Sequence, residues 1–70
     1  MRFSSNLKKI MHNKHMSYEK LQGFAQISPQ SVARASDHRI STCTLKILGK
    51  IAAALDVQVK DLFDEVPPQN

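Results

Sequence analysis

Apolar residues recur along the chain at helical spacing, in short stripes separated by polar stretches. Phe3, Leu7, Ile10 and Met11 stand at i, i+4, i+7 and i+8, which predicts a helix over residues 3–15. Leu21, Phe24 and Ala25 give the inward face of a helix over 17–25, and Val32 and Ala35 that of a helix over 28–35. Residues 36–43 read as a polar loop anchored by Ile40. Leu45, Leu48, Ile51, Ala52 and Leu55 make the longest stripe, and Leu62 and Phe63 close a last short helix from Val59 to about Asp64. Pro67-Pro68 ends regular structure, and residues 67–70 read as a disordered tail. No strand pattern and no internal repeat interrupts this. The pattern therefore predicts an all-α fold, a compact five-helix bundle over residues 1–66. Its expected core is Leu7, Ile10, Met11, Leu21, Phe24, Ala25, Ile27, Val32, Ile40, Leu45, Leu48, Ile51, Leu55, Val57, Leu62 and Phe63.

Start signals sharpen the boundaries. Ser4 or Ser5 can cap the first helix, and Ser17, Ser28 and Thr44 stand before the second, third and fourth. Pro29 falls at the first position of the third helix, where its missing N–H costs nothing. Ser17 and Ser28 lie so close that residues 17–35 must be two short helices joined by a tight turn, a helix-turn-helix layout. Gly23 and Gly49 fall inside helices, where each reads as a place of close helix approach. The exposed face of residues 28–35 carries Gln30, Ser31 and Arg34, with no evident partner inside so small a protein.

Composition narrows the use of this layout. Seventy residues make one domain with a small core. A single cysteine, Cys43, permits no intrachain disulfide and suits a reducing cytoplasm. It reads as a small buried apolar residue. No apolar run approaches the ~18 residues of a membrane span, and the first residues lack a signal-peptide core. The expectation is a cytoplasmic protein of bacterial or phage-encoded type, with no membrane partner. Charge is lopsided: residues 1–50 carry net +7 and residues 51–70 carry −3. A basic body points to a polyanion partner. His12 and His15 share a helix, but nothing completes a metal set with them. No Gly-rich phosphate loop, positioned nucleophile or carboxylate pair is present. The chain reads as no enzyme, with no cofactor and no metal.

The chain resembles the phage-repressor, XRE-type (lambda-repressor-like) helix-turn-helix family. The resemblance rests on Asn6-Leu7-Lys8-Lys9-Ile10, Met16-Ser17-Tyr18-Glu19-Lys20-Leu21, Ile27-Ser28-Pro29-Gln30-Ser31-Val32, Thr44-Leu45, Lys50 to Val57, and Lys60-Asp61-Leu62-Phe63. It spans residues 3–64. It implies double-stranded DNA as partner, with residues 28–35 as a recognition helix in the major groove. Carried over residue by residue, it puts Pro29, Gln30, Ser31 and Arg34 at the bases: Gln30 can pair with adenine and Arg34 with guanine. It puts Tyr18, Ser28, His38, Arg39, Thr42 and Lys46 at flanking phosphates. Gln26 stands where the family often has glycine, Gln22 where it has a small residue, and Pro29 where it has a polar reader. The implied function is a sequence-specific transcriptional regulator, a small repressor binding a palindromic operator as a homodimer, with Val59–Val66 as the expected dimer contact. The alternative is an interaction module of the same fold, such as an antitoxin with a toxin-like protein partner. An acidic end after a basic body suits that use as well.

Overall fold

The computed structural model describes residues 2–66. Strand β1 (Arg2–Ser5) leads into α1 (Leu7–Asn13), α2 (Tyr18–Ala25) and α3 (Pro29–Ala35). A 3-10 segment, His38–Thr42, joins α3 to α4 (Leu45–Leu55). A second 3-10 segment, Val59–Leu62, runs into strand β2 (Phe63–Val66). The expected disordered tail 67–70 lies outside the described residues.

Three of the expected caps are made. Ser17 Oγ accepts from Lys20 N at 3.1 Å, Ser28 Oγ from Ser31 N at 3.2 Å, and Thr44 Oγ1 from Ile47 N at 3.2 Å. Each satisfies an amide that the first turn leaves open. At α1 the hydroxyl of Ser5 accepts from Leu7 N at 3.2 Å and donates to the carbonyl of Ala35. The first strand is thereby tied to the end of α3.

The five-helix, all-α expectation fails at both ends of the chain. Residues 2–5 and 63–66 pair as a two-stranded antiparallel sheet, with Phe3 opposite Glu65 and Ser5 opposite Phe63. This register places Phe3 and Phe63 diagonally on one face. Their rings meet edge to face, centroids 5.6 Å apart at 83°, the arrangement that aromatic quadrupoles favour. Asn6 locks the junction: its amide donates to Leu62 O at 2.8 Å, and its side chain to Asp64 Oδ2 at 3.1 Å. The fifth helix is therefore one 3-10 turn followed by a strand, and Phe3 belongs to no helix.

The core gathers Leu7, Met11, Leu21, Ala25, Val32, Ala35, Ile40, Leu48, Ile51, Ala52, Leu55 and Leu62. Ile10, Ile27, Val57 and Phe63 pack against it half-buried. Two expected core members are outside: Phe24 is 68% exposed and Leu45 is 75% exposed. Leu21 and Ala25 already fill the inward stripe of α2, one turn apart, and Phe24 lies off it. Leu45 is the first residue of α4, where Cα–Cβ bonds lean back toward the helix start and away from the body. Neither helical glycine marks a close approach, because a Cβ at Gly23 or Gly49 would meet nothing within 4 Å.

Candidate nucleic-acid interface

Helix α3 begins at a serine cap and a proline, so its orientation is fixed at its first turn. Val32 and Ala35 are buried and hold it to the core. The opposite side is open. Gln30, Ala33 and Arg34 are all exposed, and positions i, i+3 and i+4 share a helix face. The two polar members of that face offer an amide fork and a guanidinium fork, the side chains suited to adenine and guanine edges. Pro29 is exposed beside them. Ser31 differs from the other expected base readers: it is half-buried, and its hydroxyl lies 3.1 Å from Ser28 Oγ. It is engaged in the cap. Ala33 escaped the sequence reading, because an alanine carries no chemical signal; only its place on the open face marks it.

One flank of this face is a groove of about 230 Å³ between α3 and the first two helices. Lys8, Tyr18, Gln22, Pro29 and Ala33 line it. The fold thus brings Tyr18 to the start of α3. It adds Lys8, which the helical stripe alone marks as a solvated lysine.

The other flank is the 3-10 segment and the start of α4. Asp37 opens the segment, its carboxylate accepting from Arg39 N at 2.8 Å. The same carboxylate takes the Arg39 side chain: Nε lies 3.1 and 3.2 Å from the two oxygens, and a terminal nitrogen lies 2.9 Å from Oδ2. The guanidinium and the Arg39 amide hold the Asp37 carboxyl down to about 2, and the carboxylate pushes the Arg39 value up. Arg39, expected as a free phosphate contact, is thus already paired. Thr42 donates to Arg39 O at 2.6 Å, so its hydroxyl can offer an incoming group only its lone pairs. His38 and Lys46 are exposed. Cys43 is half-buried, and burial raises its thiol pKa; Arg34, Asp37 and Arg39 all lie close enough to act on it. The end of α3 and the ion pair therefore share one neighbourhood.

Among the described residues no helix is long and apolar enough to cross a membrane. A family model for the Cro/C1-type HTH DNA-binding domain matches residues 6–68. No curated protein matches the chain significantly.

Proposed function

The chain belongs to the Cro/C1-type helix-turn-helix DNA-binding domain family, and from that premise we propose that it is a sequence-specific repressor acting as a dimer on a palindromic operator. The family is one of non-enzymatic DNA-binding regulators, with double-stranded DNA as partner. The observation that carries the finer reading is the open face of α3. Gln30 and Arg34 stand on one side of a helix whose other side is locked into the core. In the major groove, Gln30 reads adenine and Arg34 reads guanine. Pro29 and Ala33 meet thymine methyls, and Ser31 holds the cap. Tyr18 and Ser28 on one flank, with His38, Arg39 and Lys46 on the other, contact phosphates and set register; Thr42 joins them only by turning its proton from the Arg39 carbonyl toward the phosphate. A module this small reads few bases. Two copies on half-sites about 34 Å apart supply the rest of the affinity and specificity.

Selection of bound sequences from a random duplex pool tests this reading. The expected product is a two-fold symmetric site containing adenine and guanine within each half. Arg34→Ala should then weaken operator binding by about 1–3 kcal/mol and relax one base position per half-site. Unchanged preference in that variant removes Arg34 from the base contacts. A second reading, a protein-interaction module such as an antitoxin, draws on exposed Phe24 beside Met16, Ala53 and Ala54. A pool that yields no enriched sequence favours it.

A further inference from the structure

Between Glu19 and Asp56 the chain has one acid, Asp37, against Lys20, Arg34, Arg39, Lys46 and Lys50. That acid sits within the surface assigned above to DNA, and it grips one of the surface's own cations. We infer that Asp37 is a built-in phosphate surrogate: it occupies Arg39 in the free protein and must surrender it to a DNA phosphate on binding.

The geometry supports this in three ways. First, the contact uses the fork of Arg39 against both carboxylate oxygens, at 2.9–3.2 Å. Carboxylate and phosphate present the same paired acceptors to that fork. Second, the competitor is fixed in place, because Asp37 also accepts from Arg39 N at 2.8 Å and opens the 3-10 segment. It cannot swing away without uncapping that segment. Third, both partners are open to water, with side chains 52% and 38% exposed. Exposed pairs are screened and exchange readily, so the contact tunes affinity and does not abolish it. Once Arg39 turns to a phosphate, the Asp37 carboxylate is left unpaired beside the negatively charged backbone. The cost falls on every sequence alike, since the phosphate backbone is the same everywhere.

This inference rests on the DNA-binding reading, and two measurements on the full chain test it. Asp37→Asn keeps an oxygen able to cap the segment and removes the charge. Binding of a random-sequence duplex and of the selected operator is followed by fluorescence anisotropy across a salt series. The variant should bind both about eightfold more tightly at 0.1 M salt, with the log K against log salt slope steeper by about 0.9. In parallel, the Arg39 Nε–H and Asp37 carboxyl resonances of the wild-type protein are followed as duplex is added. Both should shift together at saturation, and the Nε–H signal of the free variant should lack the carboxylate-bound position. A tighter variant whose wild-type resonances stay fixed on DNA overturns the inference, because Asp37 then acts only as a diffuse charge. A wild-type protein that binds duplex with no gain in Asp37→Asn or Asp37→Ser overturns it too, leaving DNA binding intact. Failure of every form to bind any duplex removes the DNA-binding reading and the inference together.

Discussion

His15, Gln26 and Asp56 close helices α1, α2 and α4 with φ of 53°, 56° and 57°, and none of them is glycine. The hydrogen bonds are those of a left-handed helix end. Met16 N bonds to Met11 O at 2.9 Å, and Val57 N to Ala52 O at 3.0 Å; each spans the last turn. A side chain in this region costs about 1–2 kcal/mol, less for Asp and Asn. Gln26 has no such excuse. Gln26→Gly should therefore stabilise the fold by about 0.5–1 kcal/mol, after allowing for the greater freedom of glycine in the unfolded chain. The reverse exchange three residues earlier should help as well. Gly23→Ala places a Cβ in open space within a right-handed helix, and should add about 1 kcal/mol. Calorimetry would register each change as a rise in melting temperature of a few degrees. A fall for Gly23→Ala would mean that something does approach α2 there. The strained Gln26 was legible in the sequence through its departure from the family pattern. The idle glycines were not, because whether a missing Cβ leaves room or fills a need depends on what stands opposite.

At the scale of elements, the middle of the chain was readable and its ends were not. Ser17, Ser28 and Thr44 act within one turn of themselves, so a serine or threonine before an apolar stripe is enough to find them. The strands act across the whole chain. Residues 2–5 find their strand partner at residues 63–66, and four residues are too few to display an alternating period. Phe3 happens to stand four before Leu7 and so imitates a helical stripe. What sets its conformation is the Asn6–Leu62 backbone bond and the ring of Phe63, neither of which leaves a local trace. The sheet also reaches the candidate site, since Ser5 donates to the last carbonyl of α3 at Ala35. Phe3→Ala should lower stability by about 1–2 kcal/mol, short of the 3–5 typical for a fully buried phenylalanine because Phe3 is half-exposed. Urea unfolding would show this as a lower midpoint with little change in slope. An unaltered midpoint would mean that the paired ends are passengers on the helical core.

At the scale of the whole molecule, the proposed dimer needs a surface on which two copies meet. The expected contact, Val59–Val66, includes β2, which pairs with β1 along one edge and leaves its other edge open. Asp64 and Glu65 are exposed along that strand, and like charges facing each other across a new pairing oppose it. Leu45 offers a better start. It projects from the first turn of α4 next to an apolar groove of about 170 Å³ lined by Phe3, Cys43, Leu48 and Phe63. A two-fold contact uses the same patch on both copies, and a projecting leucine beside a groove of comparable size can serve as both halves of such a contact. The patch also adjoins Thr42 and Lys46, which places the proposed dimer axis next to the proposed phosphate contacts, between the half-sites. Leu45→Gln, which removes the apolar knob without adding charge, should then leave binding to an isolated half-site within about twofold of wild type. Binding to the two-half-site operator should fall steeply, because joint engagement contributes a factor of about 10²–10⁴. Sedimentation equilibrium of the free protein gives the matching readout, a shift toward monomer. Phe24→Glu serves as the control on the far apolar patch. If that change breaks the dimer while Leu45→Gln spares it, the copies meet across α2 and the C-terminal half of α4, and the spacing of the half-sites must be derived from that face.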